Sequence, residues 1–148
     1  MAADHEEKPL DCNCAAIRQA ARYVTRHYDQ HLARAGLRAT QFSILQRLKR
    51  LGPLKISVLA AAMGMDRTTL GRNILPLERD GLIEIGQSTS DLRTKQVSLT
   101  QAGAERLRAG LKHWRDAQQT FEDSFGARRA AELRALLGAV VTTALEPA

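Results

Sequence analysis

The segment MGMDRTTLGRNILPLERDGLIEIG, residues 63–86, decides how the rest of the chain is read. Asp66 is of a residue type that caps a helix N-terminus by accepting a backbone N–H from the first turn. Leu70, Ile74 and Leu77 follow at intervals of four and three, lining up one buried helical stripe, and Gly81 supplies a stop. Pro76 conflicts with this pattern. It has no N–H for the Arg72 carbonyl, its ring crowds that carbonyl, and it biases Leu75 away from helical angles. The expectation is a kink or early break at residue 76, with a straight half before it and a bent exit that aims Leu77 at the core.

Upstream, Ser57 is expected to cap a short helix with Val58, Leu59, Ala62 and Met63 inward, ended by Gly64. Two helices joined by a tight glycine-containing turn have the outline of a helix-turn-helix. Before them, LKI reads as a short extended segment and Gly52 with Pro53 as a stop. Thr40 reads as the cap of a helix that buries Phe42, Leu45 and Leu48. From Cys14 onward Ile17, Ala21, Val24, Tyr28 and Leu32 recur at helical spacing until Gly36 breaks the run. Downstream, LIEIGQ and KQVSLT alternate, with Ile83 and Ile85 on one strand and Val97 and Leu99 on the other, joined by the polar STSDLRT. Thr100 then caps a helix carrying Leu107, Leu111, Trp114 and Phe121, and Gly126 separates it from a last helix with Leu133, Leu136, Leu137, Val140, Val141 and Leu145.

Bulk properties agree with one helical domain. A chain of 148 residues is one domain's worth, and its hydrophobic residues (44%) include few aromatics (4%). No apolar run approaches the roughly 18 residues that would span a bilayer, and the start MAADHEEKPLD is polar and lacks a signal-peptide core. The chain is therefore read as cytoplasmic, without a membrane partner. A formal charge of +6 and a pI of about 9.9 favour a polyanion partner, nucleic acid first. The two cysteines, Cys12 and Cys14, are too few and too close to staple a secreted fold. The predicted fold is mainly α with a small β-hairpin wing, a winged helix-turn-helix at about 40–100. Flanking helices over 12–36 and 101–146 are too apolar along one stripe for that module to cover, and a second copy would bury them.

Arg67, Thr68, Thr69, Arg72 and Asn73 sit in the N-terminal half of the fourth helix, opposite Leu70, Ile74 and Leu77. That half is what a recognition helix presents to a major groove. Arginine pairs with a guanine edge through two hydrogen bonds, asparagine with adenine, and threonine touches a thymine methyl or a phosphate. At the hairpin tip Arg93 can enter a narrow minor groove, Lys95 lies at the tip or on the returning strand, and Asp91 is expected to orient the Arg93 guanidinium.

The order of elements, with LAAAMGMDRTTLGRNILPLERDGLIE and DLRTKQVSLTQAG, resembles the MarR family of bacterial winged-helix transcription regulators over about residues 12–145. The resemblance implies a single MarR-like domain over 12–148 behind a flexible leader of 1–11. It implies a homodimer built from the first, fifth and sixth helices, binding a pseudo-palindromic double-stranded operator. Such regulators usually repress, and release DNA when a small aromatic or anionic ligand binds or a cysteine is oxidised.

For the signal, Arg22, His27, His31, Phe42 and Trp114 are the residues expected to reach a crevice between dimer helices and DNA module. His27 and His31 share a helix face, but no acidic or cysteine partner is identifiable nearby, so no metal and no cofactor are assigned. Cys14 continues the apolar stripe of the first helix and is expected to point into the dimer interface, whereas Cys12 is not. A Cys12–Cys14 disulfide requires the helix start to unwind. A cysteine near a helix N-terminus can have its thiolate favoured. Organic-hydroperoxide sensors of the same family are similar here, with a tyrosine fourteen residues after the cysteine as Tyr28 follows Cys14. Arg18 stands where those sensors have a second tyrosine. Two other classes compete. A winged-helix module could dock an acidic protein through its basic face, and a thiol enzyme could use Cys12 and Cys14, although no general base or cofactor loop accompanies them.

Overall fold

The computed structural model describes residues 11–145, so nearly all of the expected leader lies outside the described residues. Helix α1 (Asn13–Leu32) ends in a 3-10 turn over Ala33–Ala35, and Gly36 reverses the chain at φ 69°. Helix α2 (Ala39–Leu51), strand β1 (Leu54–Lys55) and helices α3 (Ile56–Ala62) and α4 (Arg67–Arg79) follow. Strands β2 (Ile83–Gln87) and β3 (Lys95–Leu99) form the wing, before the long α5 (Gln101–Phe125) and α6 (Ala127–Thr142).

One hydrophobic cluster joins these elements. Leu32 of α1, Ile44 and Leu45 of α2, Leu59 of α3 and Leu70 and Leu77 of α4 are fully buried together with Val97 of β3. The β2–β3 register pairs Ile83 with Leu99 and Ile85 with Val97, so the alternating apolar residues share the inward face. The sheet has a third member. β1 pairs antiparallel with β3, Leu54 opposite Val97, which makes the order β1-β3-β2 and anchors the wing to the loop between α2 and α3. The expected two-stranded hairpin is thus one edge of a three-stranded sheet.

Two expected caps are displaced. α2 begins one residue before Thr40, and its first N–H, that of Ala39, donates to Asp29 Oδ1 of α1 at 2.7 Å, while Gln41 Oε1 accepts from the Arg38 N–H at 3.0 Å. α3 begins at Ile56, directly after β1, so Ser57 lies in its first turn, and Val58, expected inward, is half exposed (49%). In both cases the true cap is set by the neighbouring element and not by the local residue type.

Pro76 does not break α4. The helix runs through it to Arg79, and the Asp80 N–H closes the next turn on the Pro76 carbonyl at 3.0 Å. A mid-helix proline costs about 3 kcal/mol. Breaking the helix there would pull Leu77 and Leu82, 0% and 3% exposed, out of the core, and each is worth on the order of 2 kcal/mol. Burial therefore outweighs the proline penalty, and Leu75, expected outside helical angles, stays helical.

The exit of α4 is clamped to the start of α5. Gly81 turns the chain at φ 73°. Thr100 Oγ1 donates to the Gly81 carbonyl at 2.7 Å and accepts the Gly103 N–H at 3.0 Å, while the Thr100 N–H donates to the Leu82 carbonyl at 3.2 Å. Gly103 is packed so tightly that a Cβ there would stand 2.0 Å from the Leu82 carbonyl oxygen and 2.7 Å from Leu99 Cδ1. Gly103→Ala is expected to cost at least about 2 kcal/mol by overpacking. Gly138→Ala, in an α6 position with nothing within 4 Å, is expected to stabilise by roughly 0.5–1 kcal/mol. Urea unfolding midpoints moving in opposite directions check both.

Candidate nucleic-acid interface

The start of α4 is built from the Asp66 cap, whose carboxylate accepts the Thr69 N–H at 2.7 Å. That hydrogen bond holds the Asp66 carboxyl below its ordinary range, so the cap is ionised at neutral pH. With Leu70, Ile74 and Leu77 turned inward, Arg67, Thr68, Thr69 and Arg72 are left exposed along the opposite side. Asn73 is half buried, and its Nδ2 donates to the Thr69 carbonyl at 2.8 Å. The expected adenine-reading amide is thus bonded along its own helix.

At the wing tip the Asp91 carboxylate accepts the Arg93 backbone N–H at 3.0 Å, and the Asp91 carbonyl accepts both the Thr94 N–H and Thr94 Oγ1 at 3.1 Å. Asp91 therefore shapes the turn; it does not orient the guanidinium. Arg93 is exposed, and Lys95 opens β3 and is exposed as well. Two features of the tip escaped the sequence reading. Ser88 is buried (2%) with its hydroxyl bonded to Ser90, and Leu92 is the most outward large apolar residue of the wing (72%). Neither follows from local pattern, because both depend on how the loop folds back.

Helices α1, α2 and α5 border a crevice of about 290 Å³. Phe42 and Trp114 stack on one side of it, centroids 6.1 Å apart and nearly parallel at 12°, and Tyr28 and Gln118 close the other. Three residues expected here lie elsewhere. Arg22 is exposed on α1. His27 donates from Nε2 to the Ala117 carbonyl of α5 at 2.9 Å, so its ring is committed to the α1–α5 contact, whereas His31 donates from Nδ1 to the His27 carbonyl at 3.0 Å, within α1. Tyr28, which follows Cys14 by fourteen residues, lines the crevice and donates its hydroxyl hydrogen to Gln118. Fourteen helical residues separate it from Cys14 by about 21 Å. Cys12, with extended backbone, precedes the first turn of α1 and Cys14 lies within it; both thiols are free and exposed, as is Arg18.

A helix-turn-helix whose second helix buries one stripe beside an antiparallel wing defines a winged helix-turn-helix fold. Residues 37–95 match the MarR family model. A DNA complex of the transcriptional regulator MosR from M. tuberculosis is 33% identical, aligns over 90% of this chain and 100% of that one, and has a TM-score of 0.73. A probable transcriptional regulator from Pseudomonas aeruginosa is 28% identical over 88% of this chain and 97% of its own, with a TM-score of 0.78. The HTH-type regulator YwoH of Bacillus subtilis is 31% identical over 84 residues, 57% of this chain, and the match spans 61% of that relative's length. The chain belongs to the MarR family of transcriptional regulators.

Burial in the crevice, then the nearby Glu122 carboxylate, raises the Tyr28 phenol above its ordinary 10.0, against a smaller opposing effect of Arg134. A raised folded value means that the neutral phenol's contribution is complete below pH 10 and is lost as pH rises through the folded value. Thermal unfolding of the wild type should therefore fall more steeply above pH 10 than that of Tyr28→Phe, and equal slopes would contradict the assignment.

Proposed function

We propose that the chain is a homodimeric repressor that binds a pseudo-palindromic double-stranded operator and releases it when a small ligand binds or a cysteine is oxidised. The observation that carries the reading is the exposed row Arg67, Thr68, Thr69 and Arg72 on a helix whose opposite stripe is buried. Arg93 and Lys95 extend the same basic side along the wing, and the DNA complex of a 33% identical relative supports the partner. On α1 and α6, Ile17, Leu136, Val140 and Val141 stand 43–83% exposed, a face that a second copy would cover. Two copies related by a twofold axis present two reading helices, which calls for an inverted repeat.

The signal has two candidate entrances. The Phe42–Trp114 crevice suits a small aromatic ligand that stacks on the rings and meets the Tyr28–Gln118 pair. The other is the exposed CNC segment. A hydroperoxide oxidises one thiolate to a sulfenic acid and leaves as the alcohol; the second thiol then attacks that sulfur, forming the disulfide and expelling water. Closing the two sulfurs breaks the first-turn bond from the Ala16 N–H to the Cys12 carbonyl, now 3.0 Å, and so perturbs the start of α1.

Three measurements on operator duplexes follow. Affinity should fall steeply with salt through phosphate contacts, and Arg93→Ala should weaken binding, chiefly to A·T-rich flanks, with the salt slope reduced by about 1. Arg72→Lys keeps the charge but loses the planar fork, so discrimination at one position should drop by about 1–3 kcal/mol while nonspecific affinity is retained. Peroxide should release DNA from the wild type and not from Cys14→Ser; equal release from both would remove the thiol switch.

A further inference from the structure

We infer that the hollow over Gly71 on α4, flanked by Thr68 and Leu75, receives a thymine methyl in the operator's major groove, a specificity element beyond the hydrogen-bonding side chains of that helix. It rests on the proposed role of α4 as the DNA-reading helix. Thr68, Gly71 and Leu75 follow at intervals of three and four, so they stand in one line along the helix. Seven residues of helix give the line a length of about 10.5 Å. Leu75 projects from its far end, 59% exposed, and Thr68 and Arg72 are exposed beside it. Between them Gly71 leaves a gap, because a Cβ there would meet nothing within 4 Å.

Packing within the chain accounts for neither residue. A glycine inside a helix gives up more backbone freedom on folding than an alanine does. On α5 that loss has a packing reason, since Gly103 admits the Leu82 carbonyl and Gly110 lies against Leu37 and Phe42. Gly71 has no such neighbour. Leu75, for its part, is turned away from the buried stripe of Leu70, Ile74 and Leu77. An uncovered leucine beside a missing side chain makes an apolar dent, on a helix side that also exposes Arg67 and Arg72. The partner that matches it is a small apolar group carried on a polyanion. Among the base edges of the major groove the thymine C5 methyl is that group. A methyl added at residue 71 would take the space of the thymine's own.

The test removes methyls from the two sides of the contact, using the full-length reduced protein and the operator duplex enriched from a random pool. Replacing thymines by deoxyuridine one at a time deletes only the C5 methyl. At one position per half-site the wild type should lose about threefold or more in affinity, the scale of one buried methyl. Leu75→Ala should lose as much on the thymine duplex and nothing further on the uracil one. The salt slope should stay unchanged in both, because no phosphate contact is removed. Gly71→Ala should raise the urea unfolding midpoint and yet weaken operator binding about threefold or more. If no thymine replacement matters, or if Leu75→Ala suffers the same loss from it as the wild type, the inference is overturned while α4 remains the reading helix. Weakening of every duplex alike by Leu75→Ala puts the dent against deoxyribose and overturns it too. A Gly71→Ala protein that is less stable, or that binds undiminished, overturns the hollow. A chain that enriches no sequence overturns both this inference and the reading of α4 on which it rests.

Discussion

The architecture depends on the contact between the Leu82 carbonyl and the start of α5. There the Thr100 hydroxyl serves at once as helix cap and as donor to the Gly81 carbonyl, and the missing side chain of Gly103 lets the helix approach strand-close. Helix α4 exits, the wing begins and the long α5 departs within this one knot. A change of angle at any of the three is therefore felt by the other two, because packed interiors do not deform smoothly. This geometry couples the position of α5 mechanically to that of α4 and the wing.

A second link runs through α2. Its first N–H is capped by Asp29 of α1, and its Phe42 stacks on Trp114 of α5, so α2 is held by both long helices before its inner face meets α4. The aromatic crevice lies between this helix, α1 and α5. α2 in turn contacts both the sheet and α4.

Much of this was legible in the residues because the determinants are local or periodic. Asp66 and Thr100 cap the helices they precede, Leu70, Ile74 and Leu77 mark a buried stripe, and the alternation of Ile83, Ile85, Val97 and Leu99 sets the strand register. What escaped depends on partners distant in sequence. β1 is two residues long and is defined only by pairing with β3. Thr40 and Ser57 have capping chemistry, but an aspartate ten residues away and the end of a strand decide where those helices start. Pro76 argued by propensity for an early break, and the burial of Leu77 and Leu82 instead keeps the helix continuous through it. At the site, the exposed arginines and threonines of α4 followed from helical geometry, whereas the orientations of Asn73, His27, His31 and Asp91 follow from hydrogen bonds that spacing does not encode.

The central claim is that two copies of α4 read one inverted repeat, and it is tested most directly by selecting bound duplexes from a random pool with the purified, reduced protein. The account predicts an enriched pseudo-palindrome whose half-sites are centred about 10–10.5 base pairs apart or a multiple of it. A pool with no enriched sequence, or with a single unpaired half-site at every salt concentration, would contradict it.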